Sequence, residues 1–197
     1  MKRGKLIVLS APSGCGKTTI AKAILQRHPA ILFSVSATTR SQRPGEQHGR
    51  EYYFLTKQEF EQKIQRGELV EWERYPNEEN GNYYGTLKSE VEKALAQGRV
   101  MLFDVDVKGA LAIKKLYGDD AILIFIKPPS MDILRQRLLG RRTEDEATVR
   151  QRLERVPMEL ELGSTFDYHV INDKLDDAIA EVESIINKHT PFEVIHQ

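Results

Sequence analysis

Apolar positions along this chain fall into two rhythms. Three short runs are almost wholly apolar: KLIVLS at Lys5–Ser10, VMLFDV at Val100–Val105 and AILIFI at Ala121–Ile126. Runs of this length suit strands buried on both faces, as in a parallel sheet. Between them the spacing lengthens to three and four. Lys17–Gln26 predicts a helix directly after the first strand. Lys88–Gln97 predicts another, closed by Gly98, a residue type that readily takes the left-handed conformation ending helices. Near the C-terminus Leu175, Ala178, Ile179, Val182, Ile185 and Ile186 share one helical face, after a strand expected at 168–171. Strands alternating with helices predict an α/β fold: a central parallel sheet flanked by helices.

Two stretches break that alternation. Ser34 to about Tyr84 is rich in Arg, Glu, Gly and Tyr, with strand-like pieces at Tyr52–Leu55 and Leu69–Tyr75. The helix between those pieces opens on a capping box, Thr56-x-x-Glu59. This reads as a small α+β insertion. Trp72, inside it, is expected in a core rather than stacked on a ligand. The second stretch, Arg137–Arg155, carries arginines 137, 141, 142, 150, 152 and 155 around another capping box, Thr143-x-x-Glu146. It reads as a helical flap that meets an anion.

Composition narrows the function classes. The 197 residues suit one compact domain. Lysine plus arginine balance aspartate plus glutamate at 29 each, so no global field draws in nucleic acid or a membrane surface. An anion site must then be local. Cys15 is the only cysteine, which excludes an intrachain disulfide and fits a cytoplasmic location. No run approaches the roughly 20 apolar residues of a membrane span. The N-terminal apolar run enters a glycine loop, not a cleavage site.

That loop is the strongest local signal. Residues 11–18 read A-P-S-G-C-G-K-T, the P-loop pattern G-x-x-x-x-G-K-[ST] with Ala11 in the first position. A strand precedes it and a helix follows, as the pattern requires. Gly14 and Gly16 let the backbone adopt positive φ and approach phosphate oxygens. Successive amides and the helix N-terminus then face the anion. Lys17 supplies a full charge toward the β- and γ-phosphates, and the Thr18 hydroxyl can ligate Mg²⁺. Cys15 is expected as a small filler in a variable position. A P-loop marks a nucleoside-triphosphate site without separating kinases from GTPases, ATPases or motors.

Further motifs make that separation. The chain carries S-V-S-A-T-T-R-x-x-R-P-G-E at 34–46, G-R-E-Y-Y-F at 49–54, E-W at 71–72 and G-N-Y-Y-G-T at 81–86. It continues with D-V-D-V-K-G-A at 104–110, R-L-L-G-R-R at 137–142 and V-I-N-D at 170–173. With the P-loop, these resemble the guanylate kinases, a family of P-loop nucleoside-monophosphate kinases, in order and over nearly the whole chain. One departure is P-N-E-E-N-G at 76–81, where the family usually has a shorter link.

The resemblance implies a P-loop NTPase fold in a single domain. The core would be 1–33, 88–136 and 156–197, with a GMP-binding insertion at 34–87 and a lid at 137–155. It implies phosphoryl transfer from ATP to GMP, and to dGMP, with Mg²⁺, in purine nucleotide metabolism and GMP recycling. ATP would meet Ala11, Pro12, Ser13, Gly14, Cys15, Gly16, Lys17, Thr18, Thr19 and Asn172. GMP would meet Ser36, Arg40, Arg43, Glu46, Tyr52, Glu71, Tyr84, Thr86, Asp104 and Asp106. Lys17, Arg141, Arg152 and Asp106 would be catalytic.

The chemistry of these residues supports the assignment. Arginine forks suit a phosphate dianion, and phenols can donate to the same oxygens. The guanine edge offers N1–H and N2–H₂, two donors that one carboxylate, Glu71, can accept; adenine offers neither. Asp104 and Asp106 close a strand where α/β ligands sit, and suit either a Mg²⁺ water shell or the orienting of a GMP-site arginine. Arg137, Arg142, Arg150 and Arg155 are expected as surface charges paired with Glu144, Asp145, Glu146 or Glu154. Two other readings stand beside this one: a kinase of the same fold acting on a ribose bisphosphate, and a non-catalytic module that binds phosphopeptides. The base-reading set and the intact P-loop speak against them. A homo-oligomer is possible, and the tail 190–197 could dock on the core or a partner.

Overall fold

The computed structural model describes residues 3–75, 81–140 and 146–190, without the side chains of 146–149 and 151. The first apolar run becomes β1 (Lys5–Ser10), sealed from solvent along Leu6–Ser10. A tight loop leads into α1 (Lys17–Arg27), then β2 (Leu32–Phe33) and β3 (Ala37–Thr38). After β4 (Tyr53–Phe54) comes α2 (Lys57–Gln65). Its capping box is formed as the sequence predicts, with Thr56 and Glu59 each bonding the other's backbone N–H. β5 (Leu69–Tyr75) and β6 (Asn82–Leu87) follow. The chain then alternates through α3 (Lys88–Ala96), β7 (Val100–Asp104) and α4 (Val107–Tyr117). After a short 3₁₀ turn come β8 (Ala121–Lys127), α5 (Met131–Leu139), α6 (Glu146–Gly163), β9 (Tyr168–Ile171) and α7 (Leu175–His189).

Two sheets result. The larger has the order β2-β7-β1-β8-β9 with every pair parallel. Side chains alternate across β1, so Ile7 and Leu9 face one core while Leu6 and Val8 face the other. The first core is completed by Ile20 and Ile24 of α1, Leu134 and Leu138 of α5, Val156 of α6 and the apolar face of α7. The second is completed by α3 and α4. Each fully buried aliphatic side chain contributes about 1.5–3 kcal/mol. A sheet covered on both faces therefore explains why its strands read as unbroken apolar runs.

The smaller sheet has the order β4-β3-β6-β5, with β3–β4 parallel and the other pairs antiparallel. It packs α2 against Ala37, Tyr83 and Leu87 through Phe60. Its register shifts between Leu69 and Trp72, so Glu71 sits in an irregularity of the kind that re-aims side chains. Trp72 departs from the expectation. It is 47% exposed and rests against Tyr83 with ring centres 5.9 Å apart. The cause is position: β5 is an edge strand, and α2 covers the neighbouring part of the sheet.

The described parts of the arginine-rich stretch are helical, and its expected bounds fall inside two elements. Residue 137 lies in α5 and residue 155 in α6, which runs on to Gly163 with Pro157 inside it. Leu138 and Val156 are fully buried in the first core, so both ends of the stretch are anchored. The predicted capping box at Thr143 and the loop 76–80 lie outside the described residues, as do Arg141, Arg142 and the tail 191–197.

Gly85 of β6 offers a direct test of the smaller sheet. A Cβ there would stand 2.6 Å from the Glu71 carbonyl oxygen and 2.9 Å from Trp72 Cβ. Gly85→Ala is expected to destabilise the protein by about 1–3 kcal/mol through overpacking, read from urea denaturation. An unchanged midpoint would mean that β5 and β6 part freely at this point.

Candidate active site

Parallel register brings the site together. Leu9 of β1 stands beside Asp104 of β7, so the loop leaving β1 and the acidic turn leaving β7 emerge side by side at the carboxyl edge of the sheet. That edge is where open α/β sheets hold ligands.

The loop 11–16 has the conformation its glycines allow. Gly14 has φ 91° and Gly16 has φ 84°. Gly16 is the N-cap of α1 and makes no side-chain cap, which leaves the helix entrance open to an anion. Gly14 is also constrained from above: a Cβ would meet Leu138 Cδ2 at 2.9 Å. Ala11 and Pro12 are buried, while Thr19 is exposed on the first turn of α1. Cys15 is 1% exposed, and burial pushes its thiol up to about 12, consistent with a filler role.

Three contacts brace this loop. Asn172, buried at the end of β9, donates from Nδ2 to the Cys15 carbonyl at 2.8 Å. Arg137 of α5 donates from Nη1 to the Asn172 carbonyl at 2.9 Å and from Nη2 to the Asp173 carbonyl at 3.4 Å. It was expected to pair with nearby acids; main-chain oxygens engage it instead, because α5 lies over the β9 turn. Arg152 of α6 donates from Nη1 to Ser13 Oγ at 2.8 Å, so an arginine of the expected lid already touches the loop.

The charge centre is a three-way contact. Lys17 Nζ lies 2.7 Å from Asp104 Oδ1 and donates to the Val105 carbonyl at 2.7 Å. The Thr18 hydroxyl donates to Asp104 Oδ2 at 2.7 Å. Asp104, expected either in a Mg²⁺ water shell or near a GMP-site arginine, lies against Lys17 and Thr18, since its strand end aligns with the end of β1. Asp106, two residues on, caps α4 by accepting the Gly109 N–H at 2.7 Å. It lines two cavities. One, of about 270 Å³, is formed by residues 11–19 with Asp104 and Glu159. The other, of about 530 Å³, opens between α4 and the smaller sheet and includes Glu71.

Glu71 is the central group of that second cavity. The Thr86 hydroxyl donates to Glu71 Oε1 at 2.7 Å. Burial raises the carboxyl above the usual glutamate range, and Asp106 and Glu73 add to the rise, while the Thr86 bond works against it. On the same sheet a second cluster forms. The Arg40 fork meets Glu46 at 3.1 and 2.8 Å, and Glu46 also accepts the Arg43 N–H at 2.8 Å. These bonds, Arg40 first, hold the Glu46 carboxyl below its ordinary value. Arg40 lies 5.2 Å from the Tyr52 ring centre, and Tyr52 meets Tyr84 edge-on at 6.0 Å. Ser36 is half-buried beside them, its carbonyl accepting the Tyr53 N–H at 2.9 Å, and Arg43 is exposed.

The expected residues thus gather in three clusters, the phosphate loop with Asp104, the Glu71–Thr86 pair, and the Arg40–Glu46–Tyr52–Tyr84 group; Asp106 lines the cavities of the first two, and Arg141 lies outside the described residues. Sequence reasoning passed over Arg137 as a brace and missed Glu159 altogether. The signal for Glu159 was its position seven residues, two helical turns, after Arg152.

Comparison with known proteins agrees with this geometry. A family model described as guanylate kinase matches residues 3–189. A guanylate kinase of Chlorobium chlorochromatii is 53% identical over 183 residues, covering 93% of this chain and 94% of the relative. A guanylate kinase of Thermotoga maritima is 45% identical over 184 residues, covering 93% and 86%. The crystal structure of guanylate kinase from Anaplasma phagocytophilum superposes with a TM-score of 0.70 at 29% identity, covering 96% of this chain and 87% of that one. With the phosphate loop, the acidic strand end and the Glu71–Thr86 pair all in place, the chain belongs to the guanylate kinase family.

Proposed function

We propose that this protein transfers the γ-phosphate of ATP to GMP, and to dGMP, giving ADP and GDP. The observation that carries this reading is the meeting at Asp106 of two differently built cavities, one walled by the P-loop and one holding a buried carboxylate.

ATP phosphates would lie along residues 11–19, under backbone amides and Lys17. In the structure Lys17 is held by Asp104 and the Val105 carbonyl. An arriving phosphate competes for its protons, so Lys17 is already poised at the loop. GMP would enter the second cavity, its phosphate toward Arg40, Arg43, Tyr52 and Tyr84 and its base toward Glu71, Thr86 and Ser36. A GMP phosphate oxygen then attacks the γ-phosphorus in line, and no side chain acts as a covalent nucleophile. Lys17, Arg152 and Arg141 offset the charge that develops on the transferring group. Closure of the insertion 34–87 and the lid 137–155 over the core would exclude water that otherwise takes the phosphoryl group.

The donor set fits Mg²⁺. Thr18, Asp104 and Asp106 offer oxygen, the ligand type of hard cations. Among the described residues no three His, Cys, Asp or Glu are grouped to hold an ion by themselves. That suits an ion carried mainly by phosphate oxygens and water. Mg²⁺ held near Thr18, Asp104 and Asp106 would supply charge neutralisation to the nucleotide phosphates. No helix among the described residues is long and apolar enough to cross a membrane. The buried thiol suits a reducing cytoplasm.

An ADP-release assay across GMP, dGMP, AMP, CMP and sugar phosphates tests the reading; GMP-dependent turnover is expected, and a preference for a sugar phosphate would overturn it. Lys17→Ala should lower kcat by about 10²–10³-fold, the usual loss for one donor to developing charge; normal turnover would remove Lys17 from the chemistry. Glu71→Gln should weaken GMP by roughly 10–100-fold, the worth of hydrogen bonds to a charged acceptor, while ATP affinity stays put. Because the Glu71 carboxyl is raised, wild-type GMP affinity should decline on acidification from above the ordinary glutamate range. The Gln variant should show a smaller decline, only that due to protonation of the GMP phosphate, whose second pKa is about 6.

A further inference from the structure

Glu159 takes no part in the reading above, yet it lines the phosphate cavity with Lys17, Thr18, Asp104 and Asp106. Its helix, α6, is docked on the core through Val156, with Leu153 and Leu160 packed alongside. Seven residues separate Arg152 from Glu159, which places both on one face after two turns. Arg152 reaches the front of the loop at Ser13. Glu159 faces the same cavity, near Cys15, Lys17 and Asp106.

Its Oε2 atom is buried and has no hydrogen-bond partner among the described residues. Buried polar atoms are nearly always paired, so a donor is missing. Lys17, the lysine lining the same cavity, bonds Asp104 and the Val105 carbonyl. Nucleotide phosphates cannot supply the donor, since their oxygens are themselves anionic acceptors. A bare carboxylate beside them would be repelled unless something positive and proton-rich lay between. The aqua ligands of a divalent cation meet both conditions, and Mg²⁺ keeps several of them when bound to phosphates.

We propose that Glu159 is a positioning residue for the hydrated cation on the nucleotide phosphates, its carboxylate accepting a hydrogen bond from a metal-bound water. This rests on the Mg²⁺-nucleotide reading given above. The surroundings agree with an anion awaiting such a partner. Burial raises the Glu159 carboxyl and Asp106 raises it further, while Arg155 and Lys17 oppose both. A cation between Glu159 and Asp106 relieves their repulsion directly. Outer carboxylates of this kind typically govern metal affinity by 10–100-fold.

Calorimetry with β,γ-methylene-ATP separates this role from others. Wild type, Glu159→Gln and Glu159→Ala are titrated with the analogue in saturating Mg²⁺ and again in EDTA, after thermal melting has shown that each is folded. The near-isosteric Gln variant keeps the packing if Ala disturbs it. The expected result is a loss of about 10–100-fold in affinity with Mg²⁺. Without metal, affinity should be unchanged or tighter, since one negative charge has gone. Equal losses with and without Mg²⁺ would overturn the proposal and make Glu159 a protonated donor straight to phosphate. No loss in either condition would make it a packing residue. A wild-type affinity indifferent to Mg²⁺ would instead sink the metal reading on which the proposal stands.

Discussion

The site depends on one alignment, that of β1 with β7. Parallel pairing sets Leu9 against Asp104, and from there the loop 11–16 and the turn 104–106 have no choice but to emerge as neighbours. Everything charged is hung from that pair of strand ends. Lys17 and Thr18 both find Asp104 within 2.7 Å because the helix behind the loop starts where the β7 strand stops. The apolar density of β1 and β7 is therefore a functional matter: strands buried on both faces cannot slip in register without turning core side chains toward the wrong layer.

A second consequence is electrostatic order before any ligand arrives. A lone lysine in a half-enclosed cavity would point to solvent. Here its ammonium is fixed between a carboxylate and a carbonyl, at the cost of some affinity for phosphate that must displace them. The loop itself is held from below by Asn172 and from the side by Arg152. Preorganised dipoles and charges need little rearrangement when the transferring phosphoryl group passes between them, which is where enzymes of this kind gain most. The insertion uses the same device. Glu46 holds the Arg40 fork in place over Tyr52, so the fork is fixed by an anion before any ligand arrives.

Much of this was legible in the residues. The apolar runs located β1, β7 and β8 to within a residue, because burial on both faces leaves no polar positions to confuse the pattern. The Thr56–Glu59 box and Gly98 marked helix ends by local chemistry alone. The two-residue strands β2, β3 and β4 were too short to carry a period, and β6 reads N-Y-Y-G-T-L, where tertiary packing on both sides erases alternation. Trp72 went astray since edge position is a property of the finished sheet. The bracing role of Arg137 and the place of Glu159 in the phosphate cavity were missed for a related reason. Arg137 bonds a carbonyl 35 residues away and Glu159 lines a cavity with a loop at the other end of the chain, across elements whose mutual placement no local spacing encodes.

The sealed thiol at the centre of the phosphate loop has a practical side. Cys15 sits between the two positive-φ glycines, under Asn172 and against the first core, and stays protonated at any physiological pH. Peroxides and alkylating reagents attack thiolates, so the most sensitive loop of the enzyme offers them no nucleophile. An inhibitor designed to bond covalently at the P-loop would find its intended anchor sealed in the core.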